Sequence, residues 1–168
     1  MRNLRKEILL SMLLSLTIIL SIIELYIPIF SFIAPGFKIG FSNFVIMYIL
    51  YKFGCKEAIY IGILKVIAVG LISQIAVFSP FFFISLVGTI FSIIIMGLIY
   101  KLKFISVIGV SIVGAFFHNA GQLLVVYFLL DNVNLTYLIP YILIISVIAG
   151  IITGIICRTM IEKVNVEI

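Results

Sequence analysis

The segment "GVSIVGAFFHNAGQ", residues 109–122, places three polar side chains inside a long apolar run. It contains the chain's only histidine, His118, followed by Asn119 and Gln122. At about 100° per residue on a helix, one stripe collects small and polar side chains, namely Ser111, Gly114, Ala115, His118 and Gln122, with Asn119 beside it. The phenylalanines lie on the opposite side. Because lipid cannot satisfy polar groups, the segment predicts a membrane helix whose polar face meets protein or water.

The composition is that of a membrane protein with several spans. The chain has 168 residues, of which 65% are hydrophobic and only 10% are charged, and its mean hydropathy is +1.44. A water-soluble domain could not cover its surface with so few charges, and apolar runs long enough to cross a bilayer recur from end to end. We predict an all-α membrane protein with one integral membrane domain, residues 1–168. Six transmembrane helices are expected at about 8–29, 39–53, 57–77, 81–100, 104–130 and 138–159.

The second predicted helix is too short to span a bilayer comfortably at about 1.5 Å per residue. Either it is tilted, or the irregular segment "APGFKIGFSN", residues 34–43, completes the crossing. Irregular backbone at membrane depth requires a cover of protein or a water-filled cavity.

The basic residues predict the orientation of the helices. With the N-terminus inside, the inner segments hold nine of the eleven Lys and Arg residues: Arg2, Arg5, Lys6, Lys52, Lys56, Lys101, Lys103, Arg158 and Lys163. The positive-inside rule then puts both termini in the cytoplasm. This topology accounts for the net charge of +5 without a nucleic-acid partner. The basic start "MRNLRK" is read as part of the first spanning helix and not as a removable signal.

Three ionisable residues lie inside predicted spans, where such groups are functional candidates by default. They are Glu24, Lys65 and His118. Lys65 either forms a buried ion pair with Glu24 or binds an anionic group of a ligand. Glu24 could also reach the outer interface by extending along the helix. The polar face around His118 either hydrogen-bonds to neighbouring helices or lines a ligand pocket, and a lone histidine predicts no metal site.

The chain lacks the residues that an independent enzyme of diphosphate chemistry would need. Such chemistry usually requires carboxylates that hold Mg²⁺. The sequence has one aspartate, Asp131, and five scattered glutamates. It also has no P-loop, nucleophile elbow or zinc-protease motif. We therefore expect no enzyme activity, no metal and no cofactor, and active transport would need a partner or an ion gradient.

Several pieces of the chain resemble a known family of small bacterial membrane proteins. They include "PGFKIGFSN" at 35–43, "YKFGCKEA" at 51–58, "IGVSIVGAFFHNAGQLL" at 108–124 and "GIITG" at 150–154. These pieces are similar to the Gx transporter family, also labelled heptaprenyl diphosphate synthase component I, and the resemblance covers nearly the whole chain. Where arginine is often expected in that family, this chain has Lys65, which keeps the charge but loses the bidentate fork.

The two family labels imply different functions. The transporter label, with six short helices, is similar to the S components of energy-coupling factor transporters, which bind a small solute and dock onto an energy-coupling transmembrane subunit with ATPases. We expect such a substrate-binding subunit, taking up a small polar or anionic organic solute. The synthase label implies the alternative, a non-catalytic membrane component associated with a soluble polyprenyl (heptaprenyl) diphosphate synthase.

The expected binding residues follow from the polar residues at middle to outer depth. The expected substrate-binding residues are Asn43, Lys65, His118, Asn119 and Gln122, supported by Glu24 and Lys38. The outer loop 31–42 is the expected gate. Ser11 and Ser15 form a small-xxx-small pair, which suits close contact with a partner helix and is the expected docking surface.

Overall fold

A computed structural model describes residues 2–26, 40–73, 79–102, 104–129 and 139–164. Within these ranges the chain forms six helices and no β-strand, which confirms the all-α class. The helices are α1 (Arg2–Tyr26), α2 (Asn43–Phe53), α3 (Cys55–Ile72), α4 (Pro80–Tyr100), α5 (Val107–Leu129) and α6 (Ile139–Lys163).

The helix ends differ from the predicted bounds where polar residues continue or stop a helix. α1 begins at Arg2 and α6 continues to Lys163, beyond the apolar runs that defined them. A helix satisfies its own backbone groups, so it can extend past the apolar region with charged side chains. α5 begins later than expected, at Val107, because the Ser106 side chain accepts the N–H of Gly109. The predicted bounds at 27–29, 39, 74–77, 130 and 138 lie outside the described residues.

Four of the helices are long and apolar enough to cross a membrane: α1, α4, α5 and α6. They have 21 to 25 residues, which corresponds to roughly 30 Å or more at 1.5 Å per residue. The chain is therefore a multi-pass membrane protein. α3 has 18 residues and carries three charged side chains, Lys56, Glu57 and Lys65.

α2 is the central helix of the bundle. Each residue from 45 to 50 exposes 1% of its surface or less, and α2 contacts all five other helices. Its sequence is apolar on every side, as expected for a helix that is surrounded by protein. The prediction that this helix is short is confirmed, since its 11 residues extend only about 16 Å.

α5 is clamped between α4 and α6 by hydrogen bonds. Ser92 of α4 donates to the carbonyl of Gly114 at 2.8 Å. Ser111 of α5 and Thr153 of α6 share a hydrogen bond of 2.8 Å. Small side chains on both sides let these helices approach closely enough for such contacts.

Basic side chains gather at one end of the bundle. Lys6 of α1 pairs with Glu57 of α3, and the rings of Tyr51 and Tyr100 stack edge to face with centroids 4.6 Å apart. These contacts bring the start of α1, the turn at Gly54 and the end of α4 together. We call this the basic end; its described basic side chains are Arg5, Lys6, Lys52, Lys56, Lys101, Arg158 and Lys163.

Candidate functional site

A small cavity lies between α1, α3, α4 and α5, in the half of the bundle opposite the basic end. Its volume is about 30 Å³, which is room for a few water molecules or one small polar group. The polar side chains that line it come from four helices and from the residues before α2: Ser21, Glu24, Ser42, Lys65, Ser85, Thr89 and His118.

Glu24, near the end of α1, binds the backbone just ahead of α2. One of its carboxylate oxygens accepts the N–H of Gly40 and, at 2.8 Å, the N–H of Phe41. Gly40 has φ 84°, a conformation that favours glycine, and its carbonyl accepts the N–H of Asn43 at 2.9 Å. The start of a helix favours a negative charge, so this carboxylate ties α1 to α2. Its predicted pairing with Lys65 stays a prediction, although both side chains line the cavity.

Lys65 of α3 is buried, with only 5% of its surface exposed. Its ammonium donates to the side-chain oxygen of Ser42 at 3.1 Å, and Ser42 is itself 2% exposed. A buried charge is costly unless polar groups surround it. Lys65 and Ser42 both line the cavity. Because Ser42 follows Phe41 in the chain, the ammonium lies close to the segment whose amides bind Glu24.

His118 of α5 reaches the same cavity from the other side. It is 4% exposed, and its Nε2 lies 3.0 Å from the side-chain nitrogen of Gln122, one turn further along α5. Gly88 of α4 packs against this turn, and a methyl group on Gly88 would lie 2.8 Å from the His118 carbonyl. The close packing of α4 holds the imidazole at the cavity.

The predicted polar face of α5 divides in two in the folded chain. Its members are buried, as expected for a face that meets protein. Asn119, however, donates to the Ser146 side chain of α6 at 2.9 Å. Lys65 and His118 are among the described residues that line the cavity, whereas Asn119 and Gln122 are not.

Asn43 lies at the edge of the cavity. A methyl group on Gly40 would come within 2.7 Å of the Asn43 amide nitrogen and 3.2 Å of the His118 ring. Among the described residues, the amide nitrogen of Asn43 and the amide oxygens of Asn119 and Gln122 have no hydrogen-bond partner. Buried amides of this kind usually bind water or another polar group.

The remaining predicted residues lie away from the cavity or outside the described ranges. Lys38 and residues 31–39 of the expected gate lie outside the described residues. Ser11 and Ser15 are exposed on α1, and their hydroxyls donate to the carbonyls of Glu7 and Ser11 at 2.9 and 3.0 Å. A partner helix would therefore meet small side chains whose hydroxyls are already bonded within α1.

Sequence reasoning missed the contribution of α4 to the cavity. Ser85 and Thr89 line it, and Phe82 and Gly88 are buried beside it. The signal was present in the spacing of Ser85, Gly88, Thr89 and Ser92, because positions i, i+3, i+4 and i+7 share one helix face. A face of small and polar residues in an apolar helix indicates contact with protein.

Three of the four acidic residues at the described positions bond to other groups of the fold. Glu24 binds the Gly40 and Phe41 amides, Glu57 pairs with Lys6, and Glu162 pairs with Arg158 one turn earlier in α6. No three His, Cys, Asp or Glu side chains within the described ranges are grouped so that they could hold a metal ion. The polar groups that line the cavity are an ammonium, a carboxylate, several hydroxyls and an imidazole.

Comparison with known proteins places the chain in a family. A search of curated proteins and of solved structures gives no match. The family model described as heptaprenyl diphosphate synthase component I matches residues 13–160, which is most of the chain and includes every described residue of the cavity. The chain therefore belongs to the heptaprenyl diphosphate synthase component I family.

Proposed function

We propose that this chain is a non-catalytic membrane component that associates with a soluble polyprenyl diphosphate synthase. The observation that carries the proposal is the family match over residues 13–160, because the family's name describes a component of such a synthase. The sequence alone favours a transport subunit and leaves the synthase component as the alternative. The family match supports the synthase component better than the transport function.

The use of the carboxylates supports a non-catalytic role. Diphosphate chemistry through Mg²⁺ uses carboxylates that converge on one site. Here Glu24, Glu57 and Glu162 are spread over three helices, and each holds a structural contact. The partner would supply the chemistry, and this chain would supply a place at the membrane.

The proposed topology is a single integral domain of six helices in the bacterial cytoplasmic membrane. Both termini and the basic end face the cytoplasm, in keeping with the positive-inside rule. α2 completes the bundle with little contact to lipid, since it is surrounded by the other helices. Exposed lysines at the basic end, such as Lys56 and Lys101, would then be accessible to a cytoplasmic partner.

Affinity purification under mild detergent tests this association. The tagged chain is expected to retain a soluble, Asp-rich prenyl synthase, identified by mass spectrometry. Charge reversal at the basic end, Lys56→Glu with Lys101→Glu, should weaken the retention. Tyr127→Ser, an exposed change at the opposite end of the bundle, is the matched control. A preparation that folds and recovers no synthase would count against the proposal.

The cavity supports a second function, that of a substrate-binding subunit in an energy-coupling-factor-like uptake transporter. The specific observation is the buried pair of Lys65 and His118 facing one small space. The solute would be a small polar or anionic organic molecule, and the partners would be an energy-coupling transmembrane subunit with ATPases, docked at Ser11 and Ser15. Ligand pockets usually measure about 300–1,000 Å³, so this cavity accommodates one polar group of a solute, and the helices must open to admit the rest.

The two functions are separable by experiment. If the cavity binds a solute, His118→Ala loses the ligand while the protein remains folded, and small molecules that co-purify with the wild-type chain are absent from the variant. Asn43, Asn119 and Gln122 remain proposed solute contacts in the opened pocket. Changing any of them to alanine should weaken solute binding. Unaltered binding and uptake in His118→Ala would remove the site assignment and leave the synthase association untouched.

A further inference from the structure

One carboxylate of the chain itself, that of Glu24, lies at the cavity. It accepts two backbone N–H groups, from Gly40 and Phe41, directly before α2. The positive end of a helix dipole and converging N–H groups form a site that prefers anions. A side chain of this protein therefore occupies an anion site from within the fold.

Two further features next to this carboxylate favour an anion. The Lys65 ammonium is buried and donates to the hydroxyl of Ser42 at 3.1 Å, and Ser42 directly follows Phe41 in the chain. Ser21 lines the cavity and is 4% exposed, and its buried hydroxyl has no hydrogen-bond partner among the described residues. A buried hydroxyl without a partner is costly, and a ligand oxygen or water would satisfy it.

We propose that the cavity is a carboxylate-binding site whose resting occupant is the side chain of Glu24, and that a carboxylate from another molecule displaces it. The entering group would accept the N–H groups of Gly40 and Phe41 beside the Lys65 ammonium, with the Ser21 hydroxyl as a further donor. Glu24 is only partly buried, so displacing its side chain does not require it to leave a sealed interior. The cavity volume of about 30 Å³ suits a carboxylate group better than a diphosphate.

This inference rests on the second proposed function, since it requires the cavity to bind a ligand. The test measures carboxylate binding to the purified full chain and involves no uptake. A protein that binds carboxylate but does not transport is therefore distinguished from one that lacks the carboxylate site. The probe is radiolabelled acetate, added to protein in a neutral detergent and measured by equilibrium dialysis.

Glu24→Gln is the informative variant. The glutamine keeps an oxygen that can accept from the two amides, but it carries no charge. Because a charge-assisted hydrogen bond is roughly twice as strong as a neutral one, the variant should bind acetate about tenfold more tightly than the wild type. Lys65→Met should lose binding, and Lys101→Met, the same change at the basic end, should not alter it.

Each outcome decides the proposal. Equal acetate binding in the wild type and Glu24→Gln would contradict a displaceable Glu24, and wild-type binding in Lys65→Met would contradict the site. If Lys65→Met does not fold, Ser21→Ala in the Glu24→Gln background replaces it, with a severalfold loss expected and no change overturning the proposal. A parallel series with decanoate distinguishes the source of the carboxylate. Tighter binding of decanoate than of acetate, after correction for the decanoate that partitions into detergent, indicates a fatty acid from the bilayer. Equal affinity for the two indicates a water-soluble acid.

Discussion

The carboxylate of Glu24 accepts the backbone N–H of Phe41 at 2.8 Å, and this contact joins the last turns of α1 to the start of α2. The same oxygen accepts the N–H of Gly40. One side chain thus satisfies two backbone donors at the point where the chain enters the centre of the bundle.

Removing this acceptor should destabilise the protein. Glu24→Ala leaves two backbone N–H groups without their acceptor, and we expect a loss of about 2–3 kcal/mol in the free energy of unfolding. Glu24→Gln retains a neutral acceptor and should lose about 1 kcal/mol or less. Unfolding in mixed micelles with increasing SDS measures both values. Wild-type stability in Glu24→Ala would show that water replaces the carboxylate.

The hydrogen bond between Asn119 and Ser146 should stabilise the contact of α5 with α6. The donor and acceptor lie 2.9 Å apart and both residues are buried. Polar bonds between membrane helices contribute about 0.6 kcal/mol on average and at most about 1.7 kcal/mol. A double-mutant cycle with Asn119→Ala and Ser146→Ala should give a coupling energy in that range. Strict additivity of the two substitutions would contradict the contact.

Gly150 is expected to tolerate no side chain. A methyl group on it would clash with the Cα of Ile112 and lie 2.9 Å from the Ile112 backbone nitrogen, so α5 and α6 would have to separate. Overpacking of this kind costs about 1–3 kcal/mol. Gly62→Ala is the matched control, because its methyl group would meet only the movable side chains of Ile93 and Thr89. The same SDS titration should show a clear loss for Gly150→Ala and little change for Gly62→Ala.

The ion pair of Lys6 with Glu57 should link α1 to α3 at the basic end. The two side chains are 35% and 26% exposed, so water screens the pair in part. Reversing one charge, as in Glu57→Lys, should cost about 0.5–1 kcal/mol, and the exchanged pair Lys6→Glu with Glu57→Lys should regain most of it. Arg158→Glu is the comparison, since its partner Glu162 lies on the same helix. Failure of the exchange to restore stability would show that the pair does not hold the helices.

Local patterns predicted the helices well, because length, hydropathy and the 3.6-residue period are properties of neighbouring residues. The inward face of α5 was found this way, and its small and polar members are buried as expected. The burial of α2 could not be predicted in the same way. An apolar helix of 11 residues has the same composition at the lipid boundary and at the centre of a bundle, and only the arrangement of its neighbours distinguishes the two.

The partners of the polar side chains were the least predictable part of the site. Sequence spacing shows which face of a helix a residue occupies, but not which helix lies opposite that face. Asn119 and His118 are adjacent in the chain, yet one bonds to α6 and the other faces the cavity. Glu24 had two reasonable explanations, and the structure shows its carboxylate on the amides of Gly40 and Phe41.

By itself the sequence determined that this protein is a helical membrane protein and that its buried polar groups are few and must face inward. Tertiary structure decided which of them meet. Close packing at glycines such as Gly88 and Gly150 sets the distances between helices. At those distances Lys65 and His118, from α3 and α5, come to one cavity, while Asn119 is used to hold α5 against α6. The physical reason is that a hydrogen bond requires its partner within about 3 Å, and residues far apart in the chain reach that distance only through the packing of whole helices.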